Sequence, residues 1–257
     1  LFGKNKKPNK KSDHFVGDFY VLYHKKLKAD SSLEIETNEM LRLWEDKDKK
    51  TWGLWRKMNK WALDGFQETY NLFNLKFDKV YHEHEFYDKG KEIILNGLKE
   101  GVFNKGENGE VYIELGGELG KKVLLRPDGT SIYITQDLYL SELKFKDFPK
   151  TGVSIYVVAN EQNYHFKVLF KLAEILKLKS AGKGHHLSYG MVNLPEGKMK
   201  SREGKVVDAD DIIEEMINLA ENEIKKRHKQ LGKKEIENRS KIVGLGALVF
   251  YLLRVDP

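Results

Sequence analysis

The sequence contains no cysteine, only 5 prolines and no long hydrophobic run in its 257 residues. Without cysteine there is no disulfide scaffold, no thiol nucleophile and no cysteine-ligated metal centre, and the chain fits a reducing compartment. The strongest apolar run, Ile242–Leu253, is far shorter than the ~20 residues that span a bilayer. No secretory signal opens the chain, and no internal repeat is visible. These absences predict a soluble, cytoplasmic protein with no membrane partner. What is abundant is charge. Asp, Glu, Lys and Arg make 33% of the residues, against a usual ~25%. Apolar residues and tyrosine make 40%, enough to exclude a disordered chain and to build one large domain or two small ones. The chain starts with Leu1 and stops at Pro257 without a tail, so both ends read as cuts in a longer protein.

The net charge is +6, and its distribution is uneven. Lys4, Lys6, Lys7, Lys10 and Lys11 crowd the start, and Lys225, Lys226, Arg227, Lys229, Lys233 and Lys234 form a late cluster. Either is a solvated face or a contact for a polyanion. A third cluster, Lys198, Lys200, Arg202 and Lys205, sits in one stretch bracketed by Gly197 and Gly204.

Apolar periodicity predicts helix over 34–73, where Leu54, Trp55, Met58, Trp61, Phe66, Tyr70 and Phe73 recur at steps of three and four. All four tryptophans fall there, as the core of a helical hairpin. The segment 15–25 is ambiguous. Short strands are predicted at 77–81, 111–115, 123–125 and 131–135, with a helix over 89–100 stopped by Gly101. The β-branched run Ser154–Ala159 reads as a buried parallel strand. A helix over 165–178 and a strand over 186–192 complete a βαβ unit. Two helices follow, over 208–229 with Asp208 as N-cap and over 235–254.

The stretch from Leu194 to Lys205 follows a strand and precedes a helix. Glycines let its backbone approach a ligand, and its cations suit a polyphosphate whose charge develops during transfer. A plain basic surface loop is the alternative. His82-Glu83-His84-Glu85 is spaced like metal ligands but lacks a third partner, so no protein-ligated metal is expected.

Lys198-Met199-Lys200-Ser201-Arg202 resembles the KMSKS signature of class I aminoacyl-tRNA synthetases. The surrounding text, from Tyr189-Gly190-Met191-Val192 to Gly204, is similar to that of arginyl-tRNA synthetases, above all archaeal and eukaryotic ones. Three further segments match in register: the stretch from Asp128 to Leu138, Glu161-Gln162 with His165-Phe166, and the stretch from His14 to Val21 with the Trp-rich region. The resemblance covers essentially the whole chain. It implies an α/β fold: the second half of a Rossmann-type parallel sheet with a helix-rich insertion and C-terminal helices. The implied organisation is a basic lead-in over 1–14, an insertion over 15–126, a catalytic half over 127–207 and helices over 208–257.

By the same resemblance Asp137 pairs with the guanidinium of L-arginine, and Tyr133 and Gln162 complete that pocket. Carboxylate and planar acceptors suit a guanidinium. If 131–135 is a strand, Tyr133 and Asp137 share a face. The alternative roles are a cap of a following helix for Asp137 and a core aromatic for Tyr133. Lys198, Lys200 and Arg202 are the implied catalytic cations at the ATP phosphates; His186, Met191, Val192 and Ser201 lie near ATP, with His165 as a weaker candidate. His186 reads equally as a structural histidine.

The implied activity is ATP-dependent arginine activation and transfer to tRNA(Arg), with Mg2+ accompanying ATP and a monomeric parent. Two departures stand out. Ser201 replaces the usual lysine of the signature, and no His-x-Gly-His occurs. That motif is expected upstream of residue 1 and an anticodon-binding domain downstream of Pro257, so the isolated chain is expected to be inactive. A non-catalytic RNA-binding module built on this fold is the rival reading, and a class I synthetase for another amino acid is a third.

Overall fold

The computed structural model describes residues 2–4, 6–190 and 207–254. In chain order its elements are α1 (Ser12–Ala29), α2 (Leu33–Glu45), α3 (Lys49–Leu72), α4 (Lys89–Lys99), β1 (Asn104–Lys105), β2 (Val111–Glu114), β3 (Lys121–Leu125), α5 (Tyr133–Asp147), β4 (Ser154–Ala159), α6 (Asn163–Ile175), β5 (Gly184–Tyr189), α7 (Ala209–Arg227) and α8 (Lys233–Leu253). They form two compact units, one of Leu1–Asp78 with Val192–Val255, the other centred on Lys79–Met191. No helix among the described residues is long and apolar enough to cross a membrane.

The first unit is helical. The ambiguous 15–25 segment lies inside α1, where Phe15 is buried and packs edge-on to Trp61 at 5.8 Å. Trp44 of α2 stacks on Trp52 of α3 at 5.4 Å, and Trp55 completes the cluster. Asp48 caps α3 by accepting from the Thr51 N–H at 2.8 Å. Asp208 caps α7, whose first turn is acidic and whose last turn is basic, as the helix dipole favours. At Gly244 of α8 a Cβ would lie 2.8 Å from the Ile217 backbone, so α7 and α8 touch backbone to side-chain-free backbone.

The second unit holds an antiparallel sheet β1-β2-β3 and a parallel pair β4-β5, joined by α6. Its core gathers Ile94, Val111, Ile113, Leu124, Leu125, Ile134, Leu138, Val168, Leu169 and Leu172. Gly101, at φ +74°, ends α4 as expected. The α4–α5 crossing is close: a Cβ on Gly90 would lie 2.0 Å from the Thr135 carbonyl oxygen.

Three expectations are corrected. Residues 131–135 are not a strand; Ser131 makes one isolated bridge and α5 starts at Tyr133. Its buried positions Ile134, Thr135, Leu138, Ser141 and Phe145 have helical spacing, which outweighs the local β-branched alternation. Residues 77–81 form no strand, because no strand pairs with them and Phe77 and Val80 are exposed. The predicted buried strand β4 is half-buried. Tyr156 and Val158 pack on the core, while Ile155 and Val157 are 59% and 61% exposed, since among the described residues only β5 flanks it and only one of its faces is covered.

Candidate functional site

The site residues of the second unit come from α5, α6 and the turn after β4. Tyr133 is the first residue of α5 and Asp137 lies one turn on. Helical i,i+4 spacing puts both on one face, so the shared face survives although the predicted strand does not. Tyr133 is 79% exposed, hence not a core aromatic. Asp137 is inside the helix, hence not its cap.

Gln162 closes the short 3-10 turn Asn160–Gln162 directly after β4. It is exposed and stands just past the C-terminal end of a parallel strand, where open α/β sheets place ligands. Three residues later, in the first turn of α6, His165 reaches Asp137: its Nε2 lies 2.7 Å from Asp137 Oδ2. A carboxylate accepts and does not donate, so Nε2 carries the proton and the imidazole donates. His165, the weakest candidate in the sequence, is the one that the structure joins directly to Asp137.

His186 sits in β5. Its Nε2–H donates to the Val158 carbonyl at 2.8 Å, and its ring lies 4.3 Å from that of Phe166. Those contacts are what the structural reading of His186 requires. Met191, Val192, Lys198, Lys200, Ser201 and Arg202 lie outside the described residues.

Sequence reasoning missed Lys144 and Tyr156. The Lys144 ammonium stands over the Tyr156 ring at 4.1 Å, a cation–π contact. Burial pulls the Lys144 pKa below its ordinary value, and the nearby Asp137 charge opposes that pull. Burial also pushes the Tyr156 phenol up. The signal was available: 133, 137 and 144 fall on one helical face, a pattern hidden once 131–135 is read as a strand.

A second Asp–His pair lies in the helical unit. His14 Nε2 is 2.9 Å from Asp210 Oδ2, and Thr69 donates to Asp210 Oδ1 at 2.9 Å. The Lys11 ammonium bonds Asp210 and also Asp13, at 3.0 Å. Burial raises the Asp210 pKa, but hydrogen bonds from Lys11 and Thr69 outweigh it, and the net shift is downward. Asp13, His14 and Asp210 offer ligand atoms within 4.8 Å of one another. The ammonium of Lys11 already supplies the cation there.

In this arrangement, among the described residues, Asp137 presents a carboxylate with one oxygen held by His165 and the side chain 40% exposed, one helical turn from the exposed Tyr133 phenol. A planar cation able to take two parallel hydrogen bonds is the ligand such a group favours.

Comparison with known proteins bears on the family and the fold. The family described as tRNA synthetases class I (R), catalytic domain, matches residues 3–255. An arginine–tRNA ligase of Porphyromonas gingivalis is 49% identical over 272 residues, covering 98% of this chain and 45% of that protein. One from Treponema denticola is 49% identical over 264 residues, covering 100% of the chain and 44% of the relative. The chain thus spans a little under half the length of these curated relatives. Among solved structures, the arginyl-tRNA synthetase of Thermus thermophilus superposes with a TM-score of 0.79 over all of this chain and 48% of its own, at 20% identity. That of Plasmodium falciparum gives 0.67 over 95% of this chain and 43% of its own, at 17% identity. At such identities the likeness shows the fold.

Proposed function

The chain belongs to the catalytic-domain family of class I (R) tRNA synthetases, and from that premise we propose that it is part of an arginine–tRNA ligase and carries the arginine pocket. The single observation that supports this most is the carboxylate of Asp137, which among the described residues has one oxygen hydrogen-bonded, by His165, and lies one helical turn from the exposed Tyr133. A guanidinium would donate to the free oxygen of Asp137, and the phenol and amide would orient it.

In this reading the carboxylate of L-arginine attacks the α-phosphate of ATP, and pyrophosphate leaves. The terminal adenosine of tRNA(Arg) then takes the arginyl group and AMP is released. Lys198, Lys200 and Arg202 would stabilise the departing pyrophosphate, with Ser201, Met191, Val192 and His186 around the nucleotide. Mg2+ would accompany ATP without protein ligands. The parent would be a cytoplasmic monomer, divided as a lead-in, an insertion, a catalytic half and C-terminal helices. The likeness to archaeal and eukaryotic members rests on the text around residue 190, whereas the relatives named above are bacterial. The rival RNA-binding module rests only on the basic clusters.

The test is calorimetry with arginine and citrulline, which keeps the shape and loses the charge. Arginine-selective binding that disappears in Asp137→Ala is the expected result. Equal binding of both ligands would overturn the pocket. The isolated 257-residue chain is expected to show no arginine-dependent pyrophosphate exchange, lacking a His-x-Gly-His motif; turnover by the pure chain would refute that part.

A further inference from the structure

We propose that His165 is a positioning residue for the ligand's guanidinium, acting through Asp137; this rests on the arginine pocket proposed above. Its Nε2–H holds Oδ2 of Asp137 at 2.7 Å. The torsion that turns a carboxylate about its last bond is broad and nearly two-fold. An exposed aspartate on a helix therefore presents its oxygens in no fixed plane. One donor fixed to one oxygen sets that plane and leaves Oδ1 for a single planar partner.

The donor is itself held in place. His165 is in the first turn of α6, beside Phe166, which is 7% exposed and anchored in the core. The His165 and Phe166 rings meet edge to face at 5.6 Å. The imidazole thus moves with the core, while the carboxylate it orients faces outward: the His165 side chain is 20% exposed and that of Asp137 40%. Lys144, whose charge Asp137 feels, rests on Tyr156, and among the described residues the side-chain hydrogen-bond partner of Asp137 is His165. Asp210, by contrast, has both oxygens engaged, Thr69 on one and Lys11 and His14 on the other.

The experiment compares His165→Phe, His165→Gln and Asp137→Ala in the full-length protein, with arginine and citrulline affinities measured by calorimetry. Phe keeps the ring shape and loses the donor; Gln places an N–H near the Nε2 position. His165→Phe is expected to weaken arginine about tenfold, the scale of one charge-assisted hydrogen bond, to leave citrulline within about twofold, and to be rescued by Gln. Equal weakening of both ligands, or unchanged arginine affinity in His165→Phe while Asp137→Ala abolishes it, would overturn the positioning role and keep the pocket. Unchanged arginine affinity in Asp137→Ala would overturn the pocket itself. Nitrogen-15 NMR of the wild-type imidazole gives a second reading should His165→Phe fail to fold. Protonated Nε2 that shifts in Asp137→Asn is expected, and an unprotonated Nε2 would refute the proposal.

Discussion

Two of the aspartate–histidine pairs among the described residues look alike in distance and differ in completion. In the helical unit His14 meets Asp210 at 2.9 Å, and in the other unit His165 meets Asp137 at 2.7 Å. Asp210 is surrounded: Lys11, Thr69 and His14 take both of its oxygens, and its side chain is 20% exposed. Asp137 has one oxygen engaged and twice the exposure. A carboxylate engaged through both oxygens ties helices together, because its hydrogen bonds are made inside the protein. A half-used one keeps capacity for a ligand. In the proposed reading the number of partners, rather than the presence of a histidine, separates structure from function.

Removing each carboxylate in turn would break the comparison most visibly. Asp137→Ala is expected to cost arginine on the order of a hundredfold in affinity, about 3 kcal/mol, while leaving the urea midpoint near wild type. Asp210→Asn should do the reverse, destabilising the fold by about 1–3 kcal/mol with arginine selectivity intact. If both variants lose selectivity equally, the distinction fails.

Gly90→Ala should damage the site from outside it. Its Cβ would collide with the Thr135 backbone at 2.0 Å, so α5 must shift or the fold must yield about 1–3 kcal/mol. A lower urea midpoint together with weakened arginine binding is the expected pairing.

The pH dependence of stability sharpens the contrast further. Asp210 has a folded pKa below its ordinary 3.8, so its contribution is present above that value and is lost as pH falls through the lower, folded one. For Lys11, burial pulls the pKa down but hydrogen bonds to Asp210 and Asp13 outweigh it, leaving it raised above 10.5. Its contribution is present below 10.5 and lost as pH rises through the higher, folded value. Through these two groups the stability gap between wild type and Asp210→Asn should shrink as pH falls below 3.8 and as it rises above 10.5, which urea titrations across pH would reveal. The smallest effect is expected of Tyr133→Phe, about 0.5–1.5 kcal/mol of arginine affinity, since the 79% exposed phenol holds little of the fold.

Much of this was legible in the sequence where the signal was long. The α3 heptad-like steps, the acidic start and basic end of α7, the Gly101 stop and the β4–α6–β5 unit all came from periods and caps that span a dozen residues or more. Short windows misled. Ser131–Thr135 alternates like a strand over five residues, yet its burial pattern is set by Leu138, Ser141 and Phe145 further on. Residues 77–81 have strand composition but no neighbour to pair with, and a strand exists only with its partner.

The sequence by itself determined the family and put Tyr133 and Asp137, the residues proposed for the guanidinium, on one face, because motif chemistry and spacing are local properties. It did not determine which of eight histidines would meet Asp137, nor that Lys144 would rest on Tyr156. Residues 137 and 165 come together only when β4 and α6 fold the chain back on α5. Contacts across 28 positions are products of packing, and packing decided which carboxylate was spent on the fold and which was left open.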